Sequence, residues 1–123
     1  MTKKRLDFGK KGEQAAASFL KKQGYRILKK NFSVSSGEID LIAEHKDVLV
    51  FIEVKSRTDH SFGHPSMAVT RAKQKKIVQT AQVFLMKHPI KGRQVRFDVV
   101  SILPGKEDPD SLRVEVLQDA FRV

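Results

Sequence analysis

The sequence predicts one α/β domain whose elements run α-β-β-β-α-β-β around a covered sheet. Three observations carry that expectation. The chain has 123 residues, the size of a single domain, which buries about two-thirds of the surface its unfolded form exposes. Two stretches place apolar residues at helical spacing, and the segments between and after them are short apolar or alternating runs bounded by turn residues. No repeat, low-complexity tract or linker marks a second domain, so residues 1–123 read as one unit with a flexible basic N-terminus over residues 1–8.

The elements follow in order. Between Lys10 and Gln23, Ala16, Ala17, Phe19 and Leu20 make a helical stripe that Gly24 stops. Tyr25 to Phe32 is a short strand centred on Ile27 and Leu28. Gly37 to Glu44 alternates, with Ile39, Leu41 and Ala43 on one side and Glu38, Asp40 and Ile42 on the other. After the polar turn His45-Lys46-Asp47, the run Val48 to Ile52 is apolar on both faces and belongs in the middle of a covered sheet. Ser56 to Pro65 is a loop. Thr70 caps a second helix, whose stripe is Ile77, Val78, Ala81, Phe84 and Leu85 and whose end is His88-Pro89. Val95 to Leu103 and Leu112 to Leu117 are strands separated by a turn-rich segment from Pro104 to Asp110.

Composition narrows the function. With no Cys, the chain cannot be a disulfide scaffold, a Cys-based zinc protein or a thiol enzyme. Its longest aliphatic and aromatic run is Val48 to Ile52, where a membrane span needs about 20 residues. The N-terminal basic residues are not followed by an apolar stretch, which points to a cytoplasmic protein with no membrane partner. The formal net charge of +10 points to a polyanion as partner. Its distribution is uneven: residues 1–30 and 71–96 are each net +8, whereas 31–70 and 97–123 are each net −3.

Within that acidic block, charges stand where the pattern expects apolar residues. A hairpin symmetric about Lys46 and Asp47 sets Asp40 opposite Glu53, with their Cβ atoms about 5 Å apart. Two carboxylates at the end of a buried strand repel, and desolvation adds to the cost. Lys55, on the face of Glu53, offers one compensating charge, and a divalent cation offers more. Mg²⁺ is commonly held by one or two carboxylates, with water and phosphate oxygens completing its shell; Lys55 would then orient or deprotonate a water. The alternative is a strand-end salt-bridge cluster without chemistry. Glu13 falls in the middle of the Ala16, Ala17 and Leu20 face at 100° per residue, so it points at the sheet. Gln74 repeats the anomaly on the second helix, with Lys73 at the border of that face; a satisfied buried amide is the competing reading for Gln74.

The remaining signals are weak. His60 and His64 have a spacing that suits zinc on a helix, but Gly63 and Pro65 oppose a helix there. Phe62 is a loop-anchoring aromatic or a base-stacking one. Neither a nucleophile elbow nor a glycine-rich phosphate loop occurs.

Asp40 followed by Glu53-Val54-Lys55 on the next strand resembles the PD-(D/E)xK motif of the restriction-endonuclease-like nuclease superfamily. Gly37-Glu38-Ile39-Asp40-Leu41-Ile42-Ala43, Phe51-Ile52-Glu53-Val54-Lys55-Ser56-Arg57 and Gly12-Glu13 together resemble the YraN-like family of small bacterial proteins, regarded as predicted endonucleases similar to archaeal Holliday junction resolvases. The resemblance runs from about Gly9 to Phe121 and departs from the motif's name at one position, where this chain has Ile39 in place of Pro. It implies a restriction-endonuclease-like α-β-β-β-α-β core, an extra C-terminal strand and a mixed central sheet flanked by helices. It also implies DNA as substrate and Mg²⁺ as cofactor, with Mn²⁺ a substitute. Asp40, Glu53 and the Val54 carbonyl would hold the metal, Lys55 would position the water, and Glu13 would assist. Arg57, Lys73 and Gln74 are candidates for auxiliary or phosphate contacts, and a homodimer would suit paired cuts on branched DNA. The competing functions are a nucleic-acid-binding protein on a nuclease fold without turnover, and a basic assembly or ribosome-associated factor.

Overall fold

A computed structural model describes residues 2–56, 69–89, 92–108 and 110–122, with side chains from residue 11 onward. The order is α1 (Thr2–Lys22), β1 (Arg26–Val34), β2 (Gly37–His45), β3 (Val48–Ser56), α2 (Arg71–Lys87), β4 (Val95–Pro104) and β5 (Leu112–Phe121). This is the expected α/β order. The five strands form one mixed sheet in sequence order, antiparallel except for the parallel pair β3 and β4 that α2 connects.

Both faces are covered. Ile42, Leu49, Phe51, Phe97 and Val99 pack with Ile77, Ala81 and Phe84 of α2. Leu41, Ala43, Val50, Ile52, Val100 and Ile102 pack with Ala16 and Leu20 of α1. The run Val48 to Ile52 is thus apolar on both faces because each face has a helix over it. No described helix is long and apolar enough to cross a membrane.

Several boundaries differ from the sequence expectation. α1 begins at Thr2, not Lys10, so it takes in the segment read as a flexible terminus; Lys, Arg and Leu there favour helix without needing an apolar stripe. It closes on Gly24 at φ 91, with Tyr25 N–H donating to Leu20 O and Gly24 N–H to Lys21 O, a Schellman arrangement that leaves Tyr25 just ahead of β1. β5 runs on past Leu117 to Phe121 because the register shifts between Phe97 and Val99 and Asp119 adopts φ 54, which absorbs the extra residues.

The β2–β3 hairpin has the expected register, from His45↔Val48 to Leu41↔Ile52. Lys46 and Asp47 have φ of 51 and 65, the two-residue turn whose twist matches the strands. Regular pairing stops at Leu41↔Ile52, one pair short of Asp40 and Glu53. There the alternation of β2 breaks as well. Ile39 sits with Ile42 on the α2 side instead of with Leu41 and Ala43 on the α1 side.

Candidate metal and nucleic-acid site

The site lies where β3 ends and the chain leaves for α2, the position at which open α/β sheets bind ligands. Asp40 does not face Glu53 across a regular ladder. Its Oδ2 instead accepts a hydrogen bond from Val54 N at 2.7 Å, which fills the position where the strands part. Glu53 follows Leu49 and Phe51 on the α2 side and is only 6% exposed. Its Oε2 accepts no hydrogen bond from the described residues. Lys73 Nζ lies 3.4 Å away as an ion pair without hydrogen-bond geometry.

Lys73, flagged at the border of its helix face, is therefore the protein's own counter-charge for Glu53. Lys55 is half-buried on the same strand face and makes no ion pair among the described residues. Gln74 is engaged elsewhere: its amide donates to Val69 O at 3.0 Å, so it pins the start of α2 in the manner of a satisfied buried amide. Thr70 caps that helix, accepting from Lys73 N at 3.2 Å. Arg57 and the loop residues His60, Phe62, Gly63, His64 and Pro65 lie outside the described residues.

Glu13 reaches the site from the other face. Together with Gln14, Lys30, Asn31, Asp40 and Leu41 it lines a cleft of about 240 Å³. Gly12 fixes its approach: a Cβ there would stand 3.2 Å from Ser56 Oγ and 3.5 Å from Ile102 Cγ1. The glycine lies inside α1, not at its start, and its cost in a helix of about 1 kcal/mol is offset by this close packing on β3 and β4.

The charges oppose one another. Burial and the adjoining Glu53 carboxyl push Asp40 up from 3.8 to about 7, against the opposing pull of the Val54 N–H and Lys73. Glu13 is also raised, first by burial and then by Asp40 and Glu38. In contrast α2 carries no acid in its first turn, and Arg71, Lys73, Lys75 and Lys76 crowd its N-terminal end. Of these, Arg71 and Lys73 lie in the first turn, where each opposes the helix dipole by about 0.3–1 kcal/mol.

No three His, Cys, Asp or Glu side chains among the described residues converge as a ready metal cage. Asp40 and Glu53 supply two hard oxygen donors and a buried carboxylate oxygen in need of a partner. That set suits Mg²⁺, which draws most of its shell from carbonyls, water and phosphate.

A second polar cluster occupies the sheet end where β3 and β4 begin. Asp98, fully buried, accepts from Tyr25 OH at 2.7 Å, from Arg96 Nε at 2.8 Å and Nη2 at 2.9 Å, and from Asp119 N at 2.9 Å. Arg96 Nη2 also lies 3.0 Å from His45 Nδ1, and His45 stacks on Tyr25 with centroids 4.1 Å apart. Burial, followed by the hydrogen bond to Asp98, pushes Tyr25 up to about 12. Sequence reasoning did not single out this group, although an acid inside the apolar run Val95 to Leu103 is the signal that marked Asp40 and Glu53. Beside it a groove of about 710 Å³ opens between α2 and β4–β5, with mainly apolar walls and no carboxylate pair.

A family model described as uncharacterised protein family UPF0102 matches residues 12–102. A UPF0102 protein of Clostridium perfringens is 44% identical over 123 residues, covering all of both chains. One from Chloroherpeton thalassium is 42% identical over 120 residues, covering 94% of this chain and 93% of its own. Another, from Symbiobacterium thermophilum, is 47% identical over 114 residues, covering 92% and 94%.

Proposed function

The chain belongs to the uncharacterised protein family UPF0102, and since that name assigns no activity we propose a function from the residues: Mg²⁺-dependent endonucleolytic hydrolysis of DNA. One observation carries the reading. A buried carboxylate oxygen of Glu53 lacks a hydrogen-bond partner beside an Asp40 whose charge is disfavoured, an arrangement that a divalent cation would relieve. The resemblance to the PD-(D/E)xK motif supports it, as do the net charge of +10 and the acid-free first turn of α2.

In this reading Asp40, Glu53 and the Val54 carbonyl would hold the ion. When bound, Mg²⁺ acidifies a water and neutralises charge on the scissile phosphate. Lys55 positions the attacking water or takes its proton, and Glu13 assists from the α1 side. Lys73, 3.4 Å from Glu53, would be free to contact a phosphate oxygen if a cation took over that carboxylate. Branched or otherwise structured DNA is the substrate class that the resemblance favours, and a homodimer would place two such sites for paired cuts.

The test is to incubate the purified protein with nicked, branched and single-stranded DNA in Mg²⁺ or Mn²⁺, alongside Asp40→Asn. Cleavage by the parent and its loss in the variant are expected. Equal cutting by both, or cutting by neither, would falsify the reading.

The Lys73–Glu53 ion pair favours a second reading, since it offsets part of the charge without metal. A nucleic-acid-binding protein without turnover would bind DNA in a salt-sensitive manner and show no heat of Mg²⁺ binding by calorimetry.

A further inference from the structure

The cations that flank the carboxylates come from both faces of the sheet. Lys30, on β1 beside Leu41, lines the cleft with Glu13 and Asp40 on the α1 side. Lys73 stands over Glu53 on the α2 side. One turn along the helix, Lys76 packs against the β1–β2 turn, with its Cβ and carbonyl O each 3.9 Å from where a Cβ on Gly37 would be. The ion pairs among the described residues use Arg26, Lys73, Arg93, Arg96, Arg113 and Arg122, and Lys30 and Lys76 are among the cations that take part in none. Positive charge is also disfavoured at the start of α2, whose own first turn carries no acid. Two unpaired lysines on opposite sides of a carboxylate pair have a common use if one extended polyanion passes over both.

We infer that a single DNA strand runs across the end of the sheet, from Lys30 over Asp40 and Glu53 to Lys73 and Lys76, with phosphates held on both sides of the carboxylates. The inference rests on the nuclease reading and adds the path and the form of the substrate. β1 and β3 are two strand spacings apart, about 10 Å. A strand gripped on both sides is engaged in its interior and needs no free end. A covalently closed circle is therefore as good a ligand as a linear strand.

Binding of fluorescent single-stranded DNA, followed by anisotropy over a range of NaCl without divalent metal, tests the path independently of cleavage. Lys30→Ala and Lys76→Ala should each reduce the slope of log K against log salt by about 0.7 and weaken binding about five-fold at 0.1 M salt. Their combination should lose both increments. Lys46→Ala, which removes the same charge at the far hairpin turn, should leave the slope unchanged. A closed circle should compete for the labelled strand within about two-fold of a linear competitor of equal length, as expected for a backbone contact that reads no ends. The path is refuted if only one flank matters, if Lys46→Ala has the same effect as the others, or if the circle fails to compete. If both flanks lower the slope but no DNA is cut, the path stands and the cleavage reading falls. If DNA is cut and the slopes do not move, the path alone falls.

Discussion

Asp40→Asn should make the folded protein more stable at neutral pH while removing its metal response. In the folded chain the Asp40 carboxyl is raised from 3.8 to about 7 by burial and by Glu53. Between those values the folded state holds a proton that the unfolded state has released, so stability falls as pH rises through the interval. At about 1.4 kcal/mol per pH unit, the upper limit of the loss is about 4 kcal/mol. Asn keeps an oxygen to accept from Val54 N but carries no charge. Urea unfolding of parent and variant at pH 5 to 8, free of divalent ions, gives the difference in stability at each pH. Taking that difference cancels contributions common to both chains, including the general repulsion of a +10 protein. The variant should gain on the parent as pH rises, reaching a lead on the order of 1–4 kcal/mol by pH 8. Millimolar Mg²⁺ should stabilise the parent alone and narrow the gap. A difference that stays flat with pH would mean that Asp40 is ionised at no cost in the folded state, and the argument for a cation-requiring site would fail with it.

Other perturbations read other parts of the molecule. Lys73→Met leaves Glu53, whose side chain is 7% exposed, without its counter-charge; a loss of about 1–3 kcal/mol at pH 8 without metal is expected, largely restored by Mg²⁺. An unchanged urea midpoint would show that the pair does not matter. Asp98→Ala strands Tyr25 OH, Arg96 and Asp119 N–H in the interior, and denaturant titration should show a loss of about 3–5 kcal/mol. A cost below about 1 kcal/mol would refute the view of that cluster as a structural lock. At Gly37, φ is 152 and an added Cβ would lie 3.1 Å from Thr80 Oγ1. Gly37→Ala should therefore cost about 1–3 kcal/mol; a thermal midpoint equal to the parent's would mean that the turn relaxes freely.

The parts legible in the sequence were those set by short-range periodicity. Hairpin symmetry fixed the register from the turn to Leu41↔Ile52, and the 100° rule turned Glu13 toward the sheet, where it shares a cleft with Asp40. An acid within an apolar strand stands out in one dimension, so Asp40 and Glu53 were visible. Less legible was what the strands do once charge outweighs pairing, since periodicity assumes an unbroken pleat and β2 breaks its own at Asp40. The identity of the counter-charge depended on where α2 lands after its crossover, which is a matter of tertiary packing; Lys73, not Lys55, reaches Glu53. The Asp98 cluster joins residues as much as 93 positions apart, such as Gln118 and Tyr25, and no local pattern brings them together.

The tight turn at Lys46 and Asp47 and the Asp98 cluster sit at one end of the sheet, and the parted strands sit at the other. Strands β2 and β3 thus behave as the two tines of a fork held at its stem. With Tyr25, His45, Arg96 and Asp119 gripping the stem, β2 cannot slip by a residue, a slip that would turn every core side chain to the wrong face. Beyond Leu41↔Ile52 each tip pairs only outward, β2 with β1 and β3 with β4, and the Asp40–Val54 hydrogen bond bridges the gap without loss of register. A fork of this kind tolerates a poorly balanced pair of carboxylates at its tips because the cost is confined to the last turns of the pleat and does not spread into the core.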